Sequence, residues 1–321
     1  MTGPATGPAG SRILAMGHYQ PSRILTNDEL SRMVDTNDQW IRERVGIVTR
    51  RIADDETVVD MAVAAASKAL ANAGLTPADI DLVVVATCTA PDRSPNTACR
   101  VAARLGIPAP AAYDINTACS GFCYALATAD HAIRAGAARH ALVIGAEKLS
   151  DVTDWTDRST CILFGDAAGA AVLGAVAEGE APGIGPVLWG SAPERSGAVR
   201  IEGWQPYLSQ DGQTVFRWAT TALAPLALQA CERAGVEVSE LAAFVSHQAN
   251  ARIIEGIAKR LALPNAIVAM DVVESGNTSA ASIPLALSKL VERREIPSGA
   301  PVLLFGFGGG LTYAGQVVRC P

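Results

Sequence analysis

Residues 73–84 read AGLTPADIDLVV, and residues 234–245 read AGVEVSELAAFV. In each, an Ala-Gly pair ends a helix-like segment, a short linker follows, and an apolar run suited to a buried strand comes next. The two stretches lie 161 positions apart (73 against 234) and align without a gap. The same offset carries ALVIG at 141–145 onto the end of PVLLFG, which closes at Gly306. Between these lie two further units. In YDINTACSGFCYALATADHAI (113–133) a strand ends near Asp114 and a helix starts near Cys119. In MDVVESGNTSAASIPLALSKL (270–290) a strand ends near Asp271 and a helix starts near Asn277. Three matches in one order indicate an internal duplication.

The chain therefore reads as an α/β protein of two fused copies of one unit, over 12–178 and 184–321, behind a loose tail at 1–11. Strand-like runs at 82–87, 111–115, 140–145, 170–175, 242–246, 267–271, 301–306 and 311–318 alternate with helix-like runs at 57–73, 96–105, 121–135, 217–234, 249–262 and 279–293. This alternation predicts mostly parallel strands with helices packed on the sheets. It also directs the search for a site to the carboxyl ends of strands.

Composition agrees with this class. Of 321 residues, 49% are hydrophobic and 18% charged, which excludes a disordered, collagenous or coiled-coil chain. The 26 Lys and Arg against 32 Asp and Glu leave a net charge of −6, an unsuitable field for nucleic acid. No apolar run approaches the roughly 20 residues of a membrane helix, and the start MTGPATGPAGSR lacks the pattern of a signal peptide. Seven cysteines, an odd number, suit reduced thiols in a cytoplasm better than a disulfide framework.

Chemistry-bearing residues fall where strands give way to helices. Cys119, in Ala118-Cys119-Ser120-Gly121, meets the unpaired N–H groups and positive end of a helix, which favour thiolate and can hold an oxyanion. The alternative is a small buried residue. Cys123 shares its helix face, but no Cys or His partners complete a metal set, so no metal is expected. His247 ends the strand LAAFVS and is either a cap or a catalytic group. His18, His131 and His140 fall in loop-like or helix-surface settings. Asn277 opens a helix, where Asn is also a favoured cap. The duplication brings these together: Cys119 and Asn277 occupy matching turns, and His247 ends the strand that matches 82–87. A pseudo-twofold axis then converges Cys, His and Asn on one pocket. The glycines of FGFGGG (305–310) permit close backbone approach there.

These residues resemble the ketosynthases of the thiolase superfamily, and most of all the β-ketoacyl-acyl-carrier-protein synthase III family, which starts fatty-acid synthesis. The resemblance spans 12–321 and is specific at VDTNDQWIRERVGI (34–47), ACSGF (118–122), TDRST (156–160), FGDAAGAAV (164–172), HQANARII (247–254), GNTSAAS (276–282) and FGFGGG. It implies a thiolase-like fold with a five-layered αβαβα core. It also implies a homodimer and a cofactor-free condensation in which acyl-CoA is a substrate. Cys119 takes the acyl group of an acyl-CoA primer, and malonyl carrier protein loses CO2 and attacks the acyl-Cys carbonyl. The N–H groups of Cys119 and Gly309 hold the oxyanion, and His247 and Asn277 serve decarboxylation. By the same resemblance Trp40, Arg44, Arg158 and Asn250 are expected to hold CoA, and the carrier protein to dock on Arg252, Lys259 and Arg260. Two departures leave the primer open: Ser94 stands where many relatives carry an aromatic residue, and 191–212 is shorter than in several relatives. A papain-like hydrolase shares the order Cys, His, Asn but lacks its signature here. A relative that transfers acyl groups without condensation often alters the His or Asn, and both are intact.

Overall fold

In the computed structural model, which describes residues 8–203 and 207–321, the two repeated stretches fold alike. Elements are numbered in chain order. Helix α3 (Val58–Ala73) ends on Gly74 at φ 65°, and helix α6 (Gly212–Ala234) ends on Gly235 at φ 64°. This left-handed cap is open to glycine at little cost. One 3₁₀ turn follows each cap, Pro77–Asp79 and Val238–Glu240. The strands β4 (Leu82–Ala86) and β11 (Ala243–Ser246) come next.

Each strand lies inside a five-stranded sheet. The first has the order β1 (Ser11–Tyr19), β7 (Asp166–Ala175), β6 (His140–Lys148), β4, β5 (Ala111–Ile115). The second has the order β12 (Ile267–Val268), β11, β13 (Pro301–Gly308), β14 (Thr312–Arg319), β8 (Leu188–Ser191). β4 pairs parallel with β5 and β6, as β11 does with β12 and β13. β7 and β14 pair antiparallel with both of their neighbours. Four of the five strands in each sheet thus run the same way, as the alternation of strands and helices predicts, and β7 and β14 run against them. Between β13 and β14 only a tight turn intervenes, and a tight turn joins antiparallel strands alone.

Helices α5 (Gly121–Arg134) and α9 (Ser282–Glu292) lie between the sheets. α3 and α4 (Thr97–Leu105) cover the first sheet, and α6 and α7 (Ala251–Leu261) the second, giving five layers. Strand periodicity builds the layers. Leu82, Val84 and Ala86 enter the central core with Phe122 and Leu126, while Val83 and Val85 enter the outer core with Met61. In β13, Val302 and Leu304 face inward, and Leu303, Phe305 and Phe307 face α6. Strands buried on both faces read as continuous apolar runs. Each such large side chain contributes about 1.5–3 kcal/mol through burial.

Short elements absent from the sequence reading form a fourth cluster over one end of the sheets. They are the two-stranded sheet of β2 (Arg23–Thr26) and β3 (Thr49–Ile52), helices α1 (Asn27–Leu30) and α2 (Asp38–Val45), the two-stranded sheet of β9 (Val199–Arg200) and β10 (Ser209–Gln210), and the turn of helix α8 (Val272–Ser275). Arg50 of β3 is fully buried and ties this layer to the body, donating to Asn27 Oδ1 at 2.7 Å and to the Ile162 carbonyl at 2.5 Å. The strand expected at 267–271 stops at Val268, because the chain turns helical at Val272. The expected tail, 1–11, lies outside the described residues up to position 7. Ser11 already belongs to β1, where its hydroxyl donates to Asp130 at 2.7 Å.

The halves meet backbone to backbone. A Cβ on Gly145 of β6 would stand 2.2 Å from the Ala280 carbonyl oxygen, and one on Gly306 of β13 would stand 2.9 Å from Ser120 Cα. The two glycines are related by the offset of 161, so each half presses its central strand on the other half's helix-start turn. Gly145→Val should therefore destroy cooperative urea unfolding. Gly74→Ala, with nothing within 4 Å but a left-handed φ, should cost only about 1 kcal/mol. Similar small costs for both would show that the halves can part without penalty.

Candidate active site

Ala118 and Ser279, related by the offset, both adopt φ 46°. Each opens a single 3₁₀ turn, Ala118–Ser120 and Ser279–Ala281, that leads into α5 and α9. The match of the turns is positional only in part. The offset sets Asn116 opposite Asn277 and Ala280 opposite Cys119, so the thiol and the amide occupy different steps of one repeated turn. His247 stands opposite Ala86, and Ser282 opposite Gly121. In the first half a Cβ on Gly121 would meet Ala86 Cβ at 3.0 Å. In the second half the same place holds a hydrogen bond between His247 Nδ1 and Ser282 Oγ at 2.8 Å. One packing contact has become a polar one.

Cys119, His247, Asn277 and Gly309 line the buried end of a cavity of about 1760 Å³. Trp40, Arg44, Arg158, Asn250 and Arg252 line its exposed end. Lys259 and Arg260 are exposed on α7 outside it, with Glu255 exposed on the same helix. Cys123 is fully buried, 3.4 Å from where a Cβ on Gly306 would lie, and does not line the cavity. Among the described residues no group of three or more His, Cys, Asp or Glu side chains is placed to hold a metal.

Cys119 sits against Gly308, where a Cβ would come within 2.6 Å of its own. Its backbone N–H, that of Gly309 and the Ser279 hydroxyl all favour the thiolate. They do not prevail. Burial pushes the thiol up to about 11, which corrects the expectation of a lowered value. Desolvation of a buried charge outweighs a few dipoles when no cation stands near.

His247 is 2% exposed, and burial pulls its imidazole down to about 3, so the ring is neutral. Its tautomer follows from Ser282. The Gln248 N–H donates to Ser282 Oγ at 3.3 Å. The hydroxyl hydrogen then finds its acceptor in His247 Nδ1. Nε2 therefore carries the proton and is a donor. Asn277 is fixed as well. Its Oδ1 accepts from the Ser279 N–H at 2.9 Å, and its own N–H donates to the Leu163 carbonyl at 2.8 Å. The side-chain NH₂ is the end left for a ligand.

At the exposed end the Arg158 guanidinium lies 5.2 Å from the Trp40 ring and donates to the Asp35 carbonyl at 2.9 Å. Asn250 caps α7 through Arg252 N–H at 2.9 Å and reaches the Arg44 carbonyl at 3.5 Å. The sequence reading passed over Ser279 and Arg217, which line the cavity, and Ser282, which bonds His247. Carrying the offset across position by position would have raised Ser282, the partner of Gly121. His18, read as an ordinary loop or surface residue, is instead on β1. There it bonds Ser288 Oγ at 2.8 Å, and burial lowers it to about 4.

The pH behaviour follows. Below its ordinary value of 6.5 the unfolded chain protonates position 247 while the native ring, at about 3, stays neutral. This contribution is fully present above pH 6.5 and lost as pH falls toward 3, at about 1.4 kcal/mol per pH unit. Nitrogen-15 NMR should show one neutral tautomer with Nε2 protonated down to pH 5, and Ser282→Ala should mix the tautomers. Titration of His247 near 6.5 would contradict the assignment.

The chain is similar to known proteins along nearly its whole length. The family model of 3-oxoacyl-[acyl-carrier-protein] synthase III matches residues 113–193, and that of its C-terminal part matches 231–320. The chain is 70% identical over 313 residues to β-ketoacyl-[acyl-carrier-protein] synthase III 4 of Streptomyces coelicolor, covering 97% of this chain and 99% of that one. It is 68% identical to β-ketoacyl-[acyl-carrier-protein] synthase III 2 of Streptomyces avermitilis over 97% of this chain and 99% of that one. Among solved structures, the priming β-ketosynthase of the R1128 polyketide pathway superposes with a TM-score of 0.96 at 42% identity, covering 100% of this chain and 99% of that one. The synthase III of Aquifex aeolicus gives 0.92 at 40%, covering 97% and 100%. With matches of this extent to both halves, the chain belongs to the 3-oxoacyl-[acyl-carrier-protein] synthase III family of condensing acyltransferases.

Proposed function

We propose that Cys119 accepts an acyl group from acyl-CoA and that malonyl carrier protein then condenses onto it. The product is a 3-oxoacyl carrier protein, and CO2 is released. The observation that carries this reading is that a thiol shares one buried cavity end with two groups whose free ends are donors, His247 Nε2–H and the Asn277 NH₂. Decarboxylation develops negative charge on the malonyl thioester oxygen, and fixed donors in a dry pocket stabilise it strongly. The N–H groups of Cys119 and Gly309 serve the oxyanion of acyl transfer. An acyl carrier that did not condense would have no use for the second pair of donors.

Trp40, Arg44, Arg158 and Asn250 suit CoA: an aromatic face for adenine and guanidiniums for phosphate. Arg252, Lys259 and Arg260 form the local basic patch an acidic carrier protein needs on a chain of net charge −6, and Arg217 extends it along the cavity rim. No step calls for a metal or cofactor, acyl-CoA being a substrate. A homodimer is supported by β5. Tyr113, Asp114 and Ile115 of this edge strand are half-exposed, whereas its neighbour β4 is buried throughout. Seven free cysteines suit a cytoplasmic setting, and among the described residues no helix is long and apolar enough to cross a membrane. Thr87 to Pro91 line the cavity, while Ser94 is exposed beyond them. That placement fits a primer choice made where a second subunit meets this loop.

Given acyl-CoA and malonyl carrier protein, the protein should form 3-oxoacyl carrier protein, and Cys119→Ala should form none. Asn277→Ala should keep acyl transfer and slow CO2 release by about 10²-fold. Normal release in that variant would remove Asn277 from its role. Charge reversal at Lys259 and Arg260 together should raise KM for the carrier protein about tenfold and leave KM for acyl-CoA unchanged. An equal rise in both would contradict docking on this helix.

A further inference from the structure

We propose that Arg50 is a positioning residue for decarboxylation: its guanidinium sets the segment 162–165 on which the Asn277 carboxamide is hung. The inference rests on the role of Asn277 in the function proposed above. Arg50 stands on β3 and is fully buried. Burial lowers its guanidinium only to about 10, so it is charged at neutral pH. Its acceptors among the described residues are neutral: the Ile162 carbonyl at 2.5 Å, the Asn27 Oδ1 at 2.7 Å and the Leu25 carbonyl at 3.5 Å. A buried cation without a carboxylate is costly, and an apolar side chain of similar size holds two layers together at least as well. Joining the layers therefore does not account for an arginine here. Its planar fork does, because donors of fixed geometry set the place of a peptide where a packing contact does not.

That peptide carries Asn277. One residue after Ile162, the Leu163 carbonyl accepts from the Asn277 N–H at 2.8 Å, and the Gly165 N–H donates to the Asn277 carbonyl at 3.1 Å. Phe164 and Asn277 thus form a parallel bridge. The stem of Arg50 closes the same junction from the other side. A Cβ on Gly165 and one on Gly276 would each stand 3.1 Å from Arg50 Cβ, so both backbones lie against it. The two residues before Arg50 hold the approach to Gly276. The Val48 N–H donates to the Val273 carbonyl at 2.7 Å, and the Thr49 hydroxyl donates to the Glu274 carbonyl at 2.9 Å. What remains free of Asn277 is its carboxamide, and the Ser279 N–H fixes that at Oδ1. Cys119 lies outside this junction, with its side chain against Gly308. Helix α2, which carries Trp40 and Arg44, is tied through Asn27, whose amide donates to Asp38 Oδ1 at 2.9 Å and to the Ile47 carbonyl at 2.8 Å. Neither of those bonds needs Arg50. The two steps of the reaction thus draw on different supports, and only the second draws on this guanidinium.

Two single-step assays separate these supports. CoA release from acyl-CoA alone reads acylation, and CO2 release from malonyl carrier protein reads decarboxylation. Arg50→Met keeps most of the stem and removes the fork. It should slow CO2 release about tenfold and leave the rate of CoA release within about twofold. In the Asn277→Ala background the same substitution should slow CO2 release no further, since it acts through a group already removed. Arg50→Lys keeps the charge but replaces the fork with a point donor. It should show the same split with a smaller deficit, and it decides the matter if Arg50→Met does not fold. Equal slowing of both steps, or a further loss of CO2 release in the Asn277→Ala background, would mark a general support and overturn the assignment. Native rates in both variants, or failure of both to fold, would overturn it as well. Native CO2 release in Asn277→Ala alone would instead overturn the role of Asn277 on which the inference rests.

Discussion

Two peptide backbones pressed together across a pseudo-twofold axis set everything else in this molecule. Gly145 meets the Ala280 carbonyl and Gly306 meets the Ser120 Cα at distances that exclude any side chain. That contact brings two helix-start turns from opposite halves to one point. It places a thiol from the first turn beside an amide from the second. It also leaves space only at the strand ends, where the cavity opens. Neither half alone holds a complete site.

Burial then dictates the chemistry. The same desolvation that lifts Cys119 to about 11 drops His247 to about 3. Both groups are therefore neutral in the resting enzyme. The polar groups gathered at the buried end of the cavity are fixed dipoles: N–H groups of Cys119 and Gly309, one imidazole N–H and one carboxamide. Dipoles of this kind keep their full strength where water is excluded, and they need no reorganisation when charge develops. Their cost is that the thiol is not ionised in advance.

Much of this was legible in the sequence, and the rest has physical reasons for being hidden. The offset of 161 exposed the duplication because the Ala-Gly caps demand a left-handed residue and the paired runs demand two buried faces. Cys119, His247 and Asn277 stood out because each ends a strand or opens a helix. The one strand that runs against the others in each sheet was hidden, since pairing direction leaves little mark on apolar runs. The roof of short strand pairs was hidden because strands of two to four residues carry no period. Ser282 was hidden because its meaning lies in a partner 35 residues away. The direction of the Cys119 shift was misjudged because a helix end is visible in sequence and the depth of burial is not.

The central claim is that this one sulfur carries the acyl group. Incubation with a short acyl-CoA, proteolysis and tandem mass spectrometry locate that group directly. A single acyl group on the peptide containing Cys119, removed when malonyl carrier protein is added, is the predicted result. An unmodified Cys119, or an acyl group on Cys88 in its place, would contradict the account.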